Sequence, residues 1–192
     1  SRREELARTG ARCTSLLHAA IADATSPFRA RELLLDGIGM SRSVQLGRVA
    51  ARATEEDPES RIRSQALATL CAVGPTYFRT AILRGLRDAD VSVRLAAAGA
   101  AYGFHRGRYR TIVRDALLAV AGDPAEVEEV RVKALTSVDH YRSQVVDRLL
   151  VGLAGGPPSK LQGAAAGVLE CRRRPGWFGP KSAHQRRFTT NP

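Results

Sequence analysis

The chain has 192 residues, 44% hydrophobic and 26% charged, enough for one domain with a substantial core. Aromatic residues make up only 5%, so the core rests on Ala, Leu and Val, which excludes a large sheet and points to closely packed helices. The net charge of +11 raises the question of nucleic acid, but six of the 30 basic residues and none of the 19 acidic ones fall within 172–192, so more than half of the excess sits in a short tail.

Of the 30 basic residues 27 are arginine, a bias that an Ala- and Arg-rich, GC-rich coding sequence produces by itself. Cys13, Cys71 and Cys171 are far apart and in no CxxC spacing, which argues against a disulfide framework or a zinc knuckle and leads us to expect a reducing, cytoplasmic setting. No stretch approaches the roughly 20 apolar residues of a membrane span. The opening Ser1-Arg2-Arg3-Glu4-Glu5 does not lead into a secretory apolar segment, and the lack of an initiating Met leaves an upstream piece open.

Stop and start signals divide the chain into helices at about 3–22, 27–38, 42–55, 58–72, 76–87, 91–104, 108–121, 126–138, 141–154 and 159–172. Ser26-Pro27, Asp57-Pro58 and Asp123-Pro124 place a capping side chain before a proline at the first turn of a helix. Gly74-Pro75, Gly107 and Gly155-Gly156-Pro157-Pro158 stop the helices before them.

A tyrosine opens three successive apolar runs at matching offsets: Tyr77 with Ala81 and Leu86, Tyr109 with Val113 and Leu118, Tyr141 with Val145 and Leu150. A second phrase recurs between them: Ile62-Arg63 with Ala66-Leu67, Val93-Arg94 with Ala97-Ala98, Val130-Arg131 with Ala134-Leu135. Two helices alternate, so the unit is a hairpin. Aligning the second helices on Arg31, Arg63, Arg94, Arg131 and Gln162 gives intervals of 32, 31, 37 and 31, the long one explained by an acidic insertion with Glu126, Glu128 and Glu129. The first and fifth hairpins are the least regular, as caps of a stack are expected to be. From Pro175 onward the helical period is lost, so the chain reads as a solenoid over 1–172 and a basic, Gly- and Pro-containing extension over 173–192. Trp177 and Phe178 are expected to cover the open end of the last hairpin.

The phrase Asp57 to Arg63 with Ala66-Leu67, echoed by Asp88 to Arg94 with Ala97-Ala98, resembles the HEAT repeat, in which a turn Asp stands six positions before an Arg of the second helix. The resemblance covers most of residues 26–170, and the short period is closest to HEAT-like repeats of the phycocyanobilin lyase type. Thr25 stands where the first repeat would carry its Asp. The resemblance implies an all-α, right-handed α-α superhelix of about five hairpins. It also implies that Asp57, Arg63, Asp88, Arg94 and Arg131 form a structural ladder of hydrogen bonds at the turns rather than a ligand site.

No chemistry stands out. His18, His105, His140 and His184 include no pair at helical metal-ligand spacing, so no metal and no other cofactor is expected. Cys71, among Leu70, Ala72 and Val73, reads as a buried small apolar residue. Gly37-Ile38-Gly39 is a helix end and not a phosphate loop. The three matching tyrosines read as packing between repeats with their hydroxyls at the surface. The second helices offer Arg61, Ser64, Ser92, Tyr102, Glu128, Lys133 and Lys160 to one face, which is mixed rather than uniformly basic.

The leading expectation is a non-catalytic scaffold or adaptor, hence not an enzyme, with another protein as partner. The alternative is a nucleic-acid-binding solenoid whose phosphate contacts come from Arg106, Arg108, Arg110 and Arg114, with Tyr102, Lys133 and Lys160 on the second-helix face and Arg172, Arg173 and Arg174 leading into the tail. Four arginines ahead of the first acid, Asp115, run against the helix dipole and so suit an anionic partner. A third reading is an enzyme of the kinds that HEAT-like proteins also include, the alkylpurine DNA glycosylases and the bilin lyases. The glycosylase comparison is weakened because Trp177, the only tryptophan, lies in the tail.

Overall fold

The computed structural model describes residues 2–105, 107–141 and 143–173, with side chains from Arg12 onward. The expected capping role of Trp177 and Phe178 falls outside these residues, as do Arg106 and Arg174. Ten α-helices form five hairpins: α1 (Arg2–Ala22) with α2 (Phe28–Ser41), α3 (Val44–Glu56) with α4 (Ser60–Val73), α5 (Arg79–Gly85) with α6 (Val91–Ala101), α7 (Arg110–Gly122) with α8 (Glu128–Val138), and α9 (Gln144–Ala154) with α10 (Lys160–Arg173). There is no strand among the described residues. The fold is a right-handed HEAT-like α-solenoid.

Two boundaries differ from those expected, each for a local reason. The segment 75–87 enters through a 3-10 turn at Pro75–Phe78 before α5, because Pro75 has no N–H to donate and Gly74 holds a φ of 140°. Helix α6 likewise tightens into a 3-10 turn at Tyr102–Phe104. The two turns touch, and a Cβ on Gly103 would collide with the Pro75 ring, so only glycine allows the approach.

The core is built from one stripe per helix and forms two apolar clusters that meet at α4. Ile21, Leu35, Val49, Ile62 and Leu70 belong to the first, and Leu67, Ile82, Val93, Phe104, Leu117, Leu135 and Leu150 to the second. Each of these side chains is essentially excluded from water, which contributes roughly 1.5–3 kcal/mol apiece. The even-numbered helices pack against one another in a continuous row, whereas α7 and α9 barely touch. Close contact on one row and splaying on the other curve the stack, with α2, α4, α6, α8 and α10 on the concave side.

Charged hydrogen bonds run along the turns. Arg63 donates from Nε and Nη2 to both oxygens of Asp88 at 2.9 and 2.8 Å, and from Nη1 to the carbonyls of Asp57 and Pro58, both at 3.0 Å. Arg94 repeats the arrangement on Glu126, at 2.7 and 2.8 Å, and on the carbonyls of Asp88 and Ala89. Arg31 donates to Asp57, to Glu59 at 3.2 Å and to the carbonyl of Ile21 at 2.5 Å. Arg131 donates to the carbonyl of Ala121 at 3.1 Å, with no acid from the fifth hairpin against it among the described contacts. Arg31, Arg63 and Arg94 therefore each reach forward to an acid of the next hairpin. Among the described contacts the series ends at Arg131, and Gln162, at the matching place in the fifth hairpin, donates its amide to the carbonyl of Ala154 at 3.1 Å.

The acids also close their own turns. Asp57, Asp88 and Asp123 each accept the N–H two residues on, from Glu59, Asp90 and Ala125, at 2.9 to 3.0 Å. Asp23 does the same for Thr25 at 2.9 Å. The first turn thus has its Asp, set back two residues from the position Thr25 occupies. Among the described residues no buried side-chain nitrogen or oxygen lacks a partner.

Candidate functional site

The helical period that buries Leu67 and Leu70 of α4 turns Ala68, Cys71 and Ala72 outward onto the concave side. The same rotation on α6 exposes Ser92 and Leu95, and on α8 it exposes Lys133. Ala68, Cys71, Ser92, Leu95 and Lys133 line an open groove of about 550 Å³ across α4, α6 and α8, floored by Ala68, Leu95, Ala96 and Ala100. Cys71 is therefore not a core residue. Its apolar sequence neighbours Leu70 and Val73 face inward while its own sulfur faces the groove.

Lys133 is the cation of this groove. Its stem lies across α6 at Gly99, where an added Cβ would meet Cε at 3.0 Å. No carboxylate pairs with it among the described residues. Although Cys71 is exposed to the groove, partial desolvation by the packed helices beneath it raises its thiol above the ordinary pKa, and the Lys133 charge opposes this only in part.

A second cluster continues from the groove at the end of α6. Tyr102 Oη and His140 Nε2 are 2.5 Å apart, and His105 Nδ1 is 3.1 Å from the carbonyl oxygen of Tyr102. The three rings form a triangle with centroid separations of 4.6, 5.5 and 5.6 Å. Burial lowers the pKa of His140 against the pull of Asp139, and burial raises that of Tyr102, so the pair is neutral at physiological pH. Tyr102 then donates to Nε2, and the ring proton of His140 sits on Nδ1, 3.9 Å from Asp139. The sequence concealed this cluster because a search at i, i+4 looks within one helix. His105 and His140 meet between repeats, 35 positions apart, close to the 37-residue interval from Arg94 to Arg131.

The remaining candidates are dispersed. Arg172 is walled in by Asp139, Asp147 and the carbonyls of Val138, Asp139 and Tyr141, its side chain 9% exposed, so it ties α10 to the turn before α9. Lys160 lies 3.7 Å from Glu129, and Arg173 is exposed at the end of α10. Arg114 pairs with its neighbour Asp115, Arg108 stacks 4.7 Å from the Tyr109 ring, and Arg110 lies 6.0 Å from that of Tyr141. Arg61 covers Phe28 at 4.0 Å. These arginines do not converge on the concave groove.

The three matching tyrosines part company: Tyr77 is 70% exposed, Tyr109 half-buried, and Tyr141 fully buried with its hydroxyl donating to the Ala101 carbonyl at 3.2 Å. Only Tyr109 approaches the expected pattern, since Tyr141 hides its hydroxyl and Tyr77 hardly packs. Among the described residues no three His, Cys, Asp or Glu side chains converge on a metal-sized site, and no helix is long and apolar enough to cross a membrane.

The architecture defines the chain as a HEAT-like α-solenoid with a ligand-sized groove on its concave face. Among solved structures it resembles the complex of CpcE and CpcF of phycocyanin lyase from Nostoc sp. PCC7120, with a TM-score of 0.64 and 16% sequence identity over 83% of this chain and 99% of that one. At that identity the likeness shows the fold. No protein-family model and no curated protein matches the sequence. The match corrects the expectation of a non-catalytic adaptor that is not an enzyme. That expectation rested on stacked hairpins serving as scaffolds, whereas a solved structure that shares this fold over nearly its whole length is part of a lyase.

Proposed function

We propose that the chain is a lyase-type HEAT-like protein that binds a flat, conjugated, anionic substrate of the linear tetrapyrrole class in the groove of α4, α6 and α8, and acts together with a second protein. The observation that carries this reading is the groove itself: an apolar floor of small side chains with one lysine, Lys133, that no acid among the described residues neutralises. Leu95, Ala96 and Ala100 give a planar ligand a surface to lie on, and Lys133 supplies a counter-charge for a carboxylate. The likeness to a lyase built as a complex of two proteins supports both the substrate class and the need for a partner.

The chemistry of Cys71 fits a protein that hands its ligand on. A thiol raised above its ordinary pKa is a weak nucleophile, which suits holding a ligand by packing and charge along the open groove and leaving it free for transfer. Open access along the concave face lets an acceptor protein reach the bound ligand.

Titrating the purified chain with biliverdin while recording visible absorption tests the proposal. A saturable spectral change is expected, weakened about tenfold or more by Lys133→Glu and by Leu95→Arg, which invert the charge and fill the floor. An unchanged spectrum, or a change that both variants leave intact, overturns it.

A further inference from the structure

We propose that His105, His140 and Tyr102 form a binding site for a borderline divalent transition metal ion of the Zn2+ and Ni2+ class, which joins the third hairpin to the fourth. This inference is independent of the substrate proposed for the groove. It departs from the expectation, drawn from spacing alone, that the histidines have no metal role.

The first argument is distance. Zn–N bonds of about 2.0–2.1 Å to two imidazoles of one tetrahedral ion set their ring centroids roughly 5 Å apart. His105 and His140 stand at 5.6 Å, so little movement admits an ion. Tyr102 Oη faces His140 Nε2 at 2.5 Å, and an ion bound by both would take the place of the proton they now share and open that separation to about 3.3 Å. With two imidazole nitrogens and a phenol oxygen as ligands, water completes four-coordination.

The second argument is the outer shell. Metal-bound imidazoles usually donate the other ring N–H to a carbonyl or a carboxylate, which fixes the tautomer and leaves the opposite nitrogen as ligand. His105 Nδ1 lies 3.1 Å from the Tyr102 carbonyl, and His140 Nδ1 faces Asp139 at 3.9 Å. Asp139 is in turn held by Arg172 at 3.2 Å. The carbonyl contact leaves Nε2 of His105 as its ligand atom, and the contact with the Tyr102 hydroxyl marks Nε2 as the nitrogen that His140 turns toward the site.

Calorimetric titration of the full chain at pH 7.5 with ZnCl2, and separately with NiCl2, decides the matter. One ion per chain is expected, with affinity reduced at least about tenfold in His105→Gln and in His140→Gln and less in Tyr102→Phe, while His18→Gln, His184→Gln and Cys71→Ser leave it unchanged. In the two-dimensional NMR spectrum of imidazole nitrogens, Zn2+ should move the Nε2 signals of His105 and His140 together. Absence of binding, or binding indifferent to both His105→Gln and His140→Gln, overturns the site. Should a glutamine variant unfold, the NMR experiment on the unsubstituted chain still answers.

Discussion

The hairpin turns come in two lengths, and the arginine beside each adapts to its turn. In the second and third hairpins Asp57 and Asp88 stand six residues before Arg63 and Arg94, and each arginine ties Nη1 to the carbonyl of that Asp. In the first and fourth, Asp23 and Asp123 stand eight residues before Arg31 and Arg131, and each of these arginines instead sends Nε to a carbonyl ten residues back, Ile21 or Ala121. A short turn leaves Nε and Nη2 as a free fork that grips the next acid with two parallel bonds, while a long turn uses Nε and leaves only the tips. The long fourth turn also sets Asp123 away from the ladder, and Glu126, from the insertion, receives Arg94 in its place. What persists from the first hairpin to the fourth is the forward contact, not the residue type or the spacing that makes it.

Removing the acids separates the two designs. The largest effect is expected for Asp57→Ala, because Arg31 and Asp57 are each only 2% exposed and the variant strands a buried guanidinium that keeps only Glu59 as counter-charge. The loss should be about 3–5 kcal/mol in urea unfolding, and a loss under about 1 kcal/mol would mean that the long-turn arginine does not need its forward acid. Asp88→Ala and Glu126→Ala each undo a two-bond fork at 10 to 16% exposure, and about 1–3 kcal/mol is expected from either. Equal losses would show that the inserted glutamate replaces the turn aspartate fully.

The smallest effect is the sharpest probe. Arg63 holds the Asp88 carboxyl below its ordinary 3.8, and Arg94 holds that of Glu126 below its ordinary 4.5, in both cases through hydrogen bonds. A depressed folded pKa means that the unfolded chain takes up protons first as pH falls. Stability from these pairs is therefore complete above 3.8 and 4.5 respectively and is lost as pH drops through the lowered folded values. Arg94→Gln should remove the part of the acid decline that starts near 4.5 and spare the part that starts near 3.8, as read from midpoints of unfolding between pH 6 and 2.5. A decline unchanged in that variant would place the acid sensitivity elsewhere.

The helices were legible because their signals are local: a proline or a capping side chain at one end, a glycine at the other, and a period of 3.6 between them. The forward contact was half legible. The Asp and Arg spacing within one hairpin exposes the residues, but the partner of each arginine lies 25 to 32 positions on, where only the assembled stack shows that Glu126 and not Asp123 is within reach. Cys71 and the tyrosines were misjudged for the opposite reason. Apolar neighbours and matching register describe sequence surroundings, whereas exposure depends on which row curves inward and on how far each repeat slides over the next, so Tyr77 and Tyr141 differ completely despite equivalent positions.

The forward reach of the arginines gives the array a polarity, like a thread with a single direction of winding. A new hairpin spliced between the second and third would find an arginine waiting for its acid and would offer its own to the next. One appended after α10 would meet Gln162, which has turned back to the carbonyl of Ala154 and extends nothing onward. Extending the described solenoid past α10 thus calls for Gln162→Arg together with an acid in the added turn, whereas duplication between the first and fourth hairpins calls for neither.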